Sequence, residues 1–181
     1  MEIIDTPELE IDSTPSFGMF LGQDSIPTRV SVFEHPTILE NALNFATKRL
    51  MIFSPWVKGG VVNRAFLRKL ENLLIKGVKV YIIYGIGDAD DNTQWCLDKL
   101  CELASKFPTF EFYRHQNTHA KAFIVDDCVI QTSFNWLSFM GDESRTYRME
   151  EGMKYIGATV ADPWFEAYSK LLSSEAELAC S

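Results

Sequence analysis

His119 and Lys121 stand one residue apart, and Ser133 and Asn135 repeat that spacing fourteen positions later. In an extended strand, residues two apart project from the same face, so each pair presents its polar groups together. The four side chains have the chemistry of an anion site. An ammonium carries a fixed positive charge, a hydroxyl and an amide donate neutral hydrogen bonds, and an imidazole with its ordinary pKa near neutrality serves as acid, base or nucleophile. A phosphate group is the natural target. The runs 119–125 and 129–135 read as strands, and the short Asp126-Asp127-Cys128 between them predicts a hairpin. A three-residue turn over 126–128 would set Lys121 opposite Ser133 and His119 opposite Asn135, gathering all four on one face. A two-residue turn would send the two pairs to opposite faces.

The elements upstream alternate. The run 30–33 is strand-like; His35-Pro36 then opens a helix with Leu39, Leu43, Ala46 and Leu50 on one face; the apolar run 50–53 reads as a buried strand ended by Ser54-Pro55. After Lys58-Gly59-Gly60, Val62, Phe66, Leu70, Leu73 and Leu74 recur at helical spacing until Gly77 supplies a stop. A strand over 78–84, a helix carrying Leu97, Leu100, Cys101 and Ala104, and a strand over 110–113 follow. The last third holds the hairpin, a strand over 148–156 and a closing helix over 163–172 with Phe165, Tyr168 and Leu172 inward. Alternating strands and helices predict an α/β layered sheet, largely parallel, with helices on both faces.

The 181 residues suit one domain, and 46% hydrophobic with 23% charged residues exclude wholesale disorder and fibrous classes. No apolar stretch reaches transmembrane length, and the amino terminus lacks a basic leader region, so no stable membrane association is expected. Cys96, Cys101, Cys128 and Cys180 form no CxxC pair, which leaves them as reduced thiols of a cytoplasmic protein. The formal net charge of -8 is unevenly spread: residues 1–34 carry seven acids against Arg29 alone, whereas residues 48–79 carry eight bases against Glu71 alone. Residues 1–28 therefore read as an acidic arm and 29–181 as the folded domain. Within the basic stretch, Lys58, Arg64 and Arg68 are candidates to line a groove for a nucleic-acid backbone, with Trp56 placed to stack on a base. A solvated helix face explains Arg64 and Arg68 equally well. Gly85-Ile86-Gly87 lacks the rest of a dinucleotide fingerprint and reads as a strand-end turn.

His119, Lys121, Asp126, Ser133 and Asn135 together resemble the signature of the phospholipase D superfamily, HxK followed by four residues and Asp, then six residues and GSxN. Thr132 stands where that pattern has Gly, and one residue is missing between Asp126 and Ser133. The run from Ser133 through Trp136 to Phe139, and Arg148-Met149-Glu150-Glu151-Gly152 after it, extend the similarity to phospholipase-D-like domains of bacterial nucleases. The resemblance implies a phospholipase-D-like mixed β-sheet flanked by helices on both faces. It also implies a mechanism needing two motifs, in which one histidine attacks phosphorus and a second protonates the leaving oxygen. This chain holds one motif, so a homodimer with two copies of His119 face to face across its axis would complete the site. In that reading Lys121 and Asn135 hold the phosphate oxygens, Ser133 positions the group, and Glu150 orients the histidine with Glu151 as its competitor. Asp126 is structural. No cofactor and no metal is implied, because lysines and imidazoles supply the charge. The expected function is a metal-independent phosphodiesterase, a nuclease on DNA or RNA. The alternatives are a catalytically silent nucleic-acid-docking or dimerisation module and, less favoured, a phospholipid phosphodiesterase. A place in a larger multidomain protein stays open.

Overall fold

The computed structural model describes residues 26–85, 91–116, 118–140 and 149–180. Most of the acidic arm, Ile86 and Gly87 of the glycine turn and Arg148 lie outside the described residues. Among the described residues, eight strands form one mixed sheet in the order β1-β7-β6-β5-β2-β3-β4-β8, with β1 at Thr28–Ser31, β2 at Arg49–Phe53, β3 at Lys79–Tyr84 and β4 at Phe110–Arg114. The hairpin supplies β5 (Ala122–Val125) and β6 (Cys128–Thr132); β7 is Glu151–Ile156 and β8 is Glu177–Leu178. Only the β2·β3 and β3·β4 pairs are parallel and the rest are antiparallel, so the sheet is less parallel than its alternation with helices predicts.

Three helices, α1 (His35–Phe45), α2 (Arg64–Ile75) and α3 (Asp91–Lys106), cover one face of the sheet, and α4 (Ala158–Glu175) covers the other. Strand β2 shows why both faces must be covered. Leu50 and Ile52 enter the larger cluster under α1–α3, while Met51 and Phe53 enter the cluster beneath α4, where Trp164, Phe165, Tyr168 and Leu172 pack. Helix α2 starts at Asn63, whose side chain accepts from the amides of Ala65 and Phe66, buries Phe66, Leu70, Leu73 and Leu74, and is followed by Gly77 at φ 81°.

Several boundaries differ from the sequence pattern. The segment Val32–Glu34 is a 3₁₀ turn capped by Ser31 rather than strand, because the Ser31 hydroxyl and the Glu34 carboxylate satisfy backbone amides reciprocally. Helix α1 ends at Phe45, so Leu50 belongs to β2 and not to the helical face. Helix α4 begins before Pro163, which sits inside its second turn. The cysteine reading is corrected outright. Cys101 on α3 is bonded to Cys180, which follows β8, with their Cα atoms 5.4 Å apart. Cys96 and Cys128 remain free thiols. The disulfide fastens the end of the chain beside the β4 edge, where Leu178 and Glu177 pair with Tyr113 and Arg114.

Candidate active site

Strand β5 runs antiparallel to β2, with Phe123 opposite Ile52 and Val125 opposite Leu50. Continuing that register past the carboxyl end of β2 brings Lys121 level with Ser54 and His119 level with Trp56. The site therefore forms over the carboxyl ends of the parallel strands, where α/β sheets open onto crevices. The Trp56 and His119 rings meet edge to face with centroids 5.9 Å apart. Lys121 Nζ lies 2.9 Å from His119 Nδ1 and donates to the His119 carbonyl at 3.0 Å. An ammonium can only donate, so the ring nitrogen it bonds is an acceptor, and Nζ reaches both, 2.9 Å from Nδ1 and 3.4 Å from Nε2. Partial burial lowers the Lys121 pKa, and the charge of Glu150 acts in the opposite direction.

The hairpin turn differs from the three-residue expectation. Val125 pairs with Cys128 and Ala122 with Gln131, so the turn contains only Asp126 and Asp127. Asp126 takes the left-handed region at φ 48°, which a short polar side chain tolerates. Its carboxylate accepts from the amides of Thr47, Lys48 and Arg49 and from the Thr47 hydroxyl, at 2.7–3.2 Å. Burial opposes the charge on Asp126, but these bonds outweigh it and hold the carboxyl below the ordinary value. Lys121 is consequently level with Thr132, whose amide donates to the Lys121 carbonyl at 3.1 Å. A regular ladder in this register would carry Ser133 to the far face.

The ladder instead stops. Strand β6 ends at Thr132, whose hydroxyl donates to the Phe134 carbonyl, and Phe134 turns into the core. Freed from the pleat, Ser133 donates to Glu150 Oε2 at 3.1 Å and accepts from the Glu151 amide at 3.0 Å. Gly152 permits this close approach of β7, since a Cβ there would sit 2.8 Å from the Gln131 carbonyl oxygen. Glu150, bonded to Ser133, thus exerts its charge on Lys121, which in turn contacts His119. Glu151 is held elsewhere by an ion pair with Arg29 across β1 and β7. Among the described residues no carboxylate bonds to the His119 ring. Asn135 keeps its Oδ1 buried and without a hydrogen-bond partner.

The remaining candidates separate. Lys58 donates from Nζ to the Thr93 hydroxyl at 3.1 Å, and its amide donates to the Leu137 carbonyl. Arg64 and Arg68 lie along α2 and line a groove against α3. Two residues that the sequence reading used only to mark element boundaries organise the site. Ser54, fully buried, donates from Oγ to the Trp56 carbonyl and accepts from the Leu137 amide, tying the loop after β2 to the loop after β6. His35 donates Nε2–H to the Trp136 carbonyl at 2.9 Å and packs against Phe134, Trp136 and Phe139. The strand-ending Ser54-Pro55 is a local signal for the first; nothing in the pattern marks His35, because its partner is 101 residues away.

The described residues contain no cluster of three His, Cys, Asp or Glu side chains able to hold a metal ion, and no helix long and apolar enough to cross a membrane. The chain matches no protein-family profile and no curated protein. Its fold is nevertheless shared with solved structures. It is similar to Nuc of Salmonella typhimurium, a phospholipase D family member, at 14% identity and a TM-score of 0.63, covering 85% of this chain and 97% of that one. NucT from Helicobacter pylori aligns at 16% identity and a TM-score of 0.60, covering 85% and 99%. Phosphatidylserine synthase of Haemophilus influenzae gives 17% identity and a TM-score of 0.66, over 86% of this chain and 39% of the synthase. The mixed sheet with helices on both faces therefore has the architecture seen in phospholipase D superfamily members.

Proposed function

We propose that this protein is a metal-independent phosphodiesterase, a nuclease acting on DNA or RNA through a phosphohistidine at a homodimer interface. The observation that carries this reading is the grouping of His119, Lys121, Glu150 and Ser133 over the carboxyl ends of the parallel strands. An exposed imidazole beside an ammonium is a nucleophile next to a holder for phosphate oxygens. In the first step His119 forms an N–P bond, the P–O bond to the leaving group breaks, and the partner's His119 gives that oxygen a proton. Water then attacks phosphorus, the N–P bond breaks, and the now neutral partner ring takes the proton from water.

A single chain offers one such histidine, and within it Lys121 rather than a carboxylate occupies Nδ1. Attack through Nε2 requires the ring proton to sit on Nδ1. In the assembled dimer we assign Glu150 to receive that N–H, with Lys121 turned onto phosphate and Asn135 donating beside it. Asp126 stays structural and Ser133 positions Glu150.

The test is cleavage of labelled single- and double-stranded DNA and RNA in excess EDTA, for wild type and His119→Ala, with phosphatidyl vesicles in parallel. Cleavage that survives EDTA and falls by about 10³-fold or more in the variant is the expected result. Heterodimers of wild-type and variant chains should lose most activity, since each site needs both histidines. The same Nδ1 contact also suits a second reading, a silent docking or dimerisation module. A folded dimer with no His119-dependent turnover of any of these substrates would replace the enzyme reading with that one.

A further inference from the structure

Helices α2 and α3 leave between them an open groove of about 430 Å³, on the outer side of the helical layer and away from His119. Its floor is apolar, with Leu67 and Leu103, and Trp95 lies along it. The charges on its walls are unevenly matched. Lys106 is paired with Glu71 and Lys99 with Glu102, while Arg64 and Arg68, one turn apart on α2, face the same groove without an acidic partner among the described residues. Two guanidiniums with no acidic partner among the described residues, beside an indole, combine a phosphate clamp with a stacking platform.

The groove also points toward the site. Helices α2 and α3 both begin at the end of the sheet that carries His119, and Lys58, in the loop next to Trp56, bonds Thr93 in the first turn of α3. A strand leaving the site along this side would meet Arg64 first, then Trp95 and Arg68.

We infer that the α2/α3 groove is a second binding site for single-stranded nucleic acid, with Arg64 and Arg68 on consecutive phosphates and a base stacked on Trp95. The inference rests on the nuclease reading for its choice of ligand, since charge and aromatic surface together fit a nucleotide chain better than a purely acidic peptide. It also gives a strand a defined path over a protein whose net charge is -8.

Equilibrium binding separates the two ideas. Fluorescein-labelled deoxythymidine 20-mer is titrated, in EDTA, into the full chain carrying His119→Ala, into the same chain with Arg64→Ala and Arg68→Ala added, and into it with Trp95→Ala added, each checked for folding by circular dichroism. Loss of the stacking platform should weaken binding roughly 5- to 10-fold. Loss of both arginines should weaken it and lower the slope of log Kd against log salt by about 1.4, which corresponds to two single-strand phosphate contacts. Unchanged affinity and salt slope in both variants would overturn the groove. Equal competition by polyglutamate would overturn the nucleic-acid assignment in favour of an acidic protein partner. Failure of the nuclease reading shows up separately, as absent turnover in wild type, and leaves these binding outcomes intact.

Discussion

Replacing His35 by Phe should remove one component of the pH dependence of stability. His35 is 1% exposed, donates Nε2–H to the Trp136 carbonyl, and keeps Nδ1 buried without a partner. Burial drives its pKa down from 6.5 to about 4, with the bond to Trp136 working weakly the other way. The unfolded chain therefore takes up this proton near pH 6.5 and the folded chain only near pH 4, so the folded state loses ground as pH falls between them. Integrated over that interval the loss is about 3 kcal/mol, at 1.36 kcal/mol per pKa unit. Above pH 7 the variant lacks the bond and leaves the Trp136 carbonyl unsatisfied, which costs it about 1–3 kcal/mol relative to wild type. The wild-type advantage should accordingly shrink on acidification and reverse by about pH 4. Urea unfolding monitored by tryptophan fluorescence at half-unit steps from pH 7.5 to 4 measures the gap directly, with a constant m-value as the check on two-state behaviour. A gap that stays constant across this range would mean that His35 is solvated or protonated in the folded protein, and the reasoning from its burial would fail.

Removing the Asp126 carboxylate with Asp126→Ala should destabilise the fold by about 2–3 kcal/mol, because three amides and a hydroxyl lose their acceptor at the base of the hairpin. Its support depends on ionisation, so it persists above the ordinary carboxyl value and fades as pH falls through the lowered one; thermal melts of wild type and variant should converge in strong acid. Cys101→Ser opens a loop spanning 79 residues, for which chain entropy gives a loss of about 4.5 kcal/mol. A reductant should lower the melting temperature of wild type toward that of the variant and leave the variant unchanged; equal melting temperatures for all would refute the staple.

The spacing of two drew attention to the polar pairs, yet all four residues lie just outside the strands, since β5 begins at Ala122 and β6 ends at Thr132; the helices were legible because α2 keeps Phe66, Leu70, Leu73 and Leu74 on one face. The hairpin register was not, since it turns on whether Cys128 belongs to the turn or the ladder, and that is decided by the bonds Asp126 makes to a segment nearly eighty residues earlier. The expectation that Ser133 lies opposite Lys121 rested on the wrong register, and the bond from Ser133 to Glu150 was not foreseen: it comes from the early end of β6, where Thr132 bonds the Phe134 carbonyl. The Cys101–Cys180 pairing escaped notice because two distant cysteines carry no local pattern. Ser54 and His35 act through backbone partners on remote loops, and no periodicity records such bonds.

The disulfide encloses more than an edge strand. His119, Lys121, Ser133 and Glu150 all lie on the covalent ring that it closes, whereas Trp56, Lys58, Arg64 and Arg68 lie outside it. A single backbone cut anywhere on that ring leaves its two pieces joined as one molecule of unchanged size until a reductant separates them. The nucleophile, the phosphate holder and the carboxylate would then remain tethered to a common body through a break that severs the main chain between them.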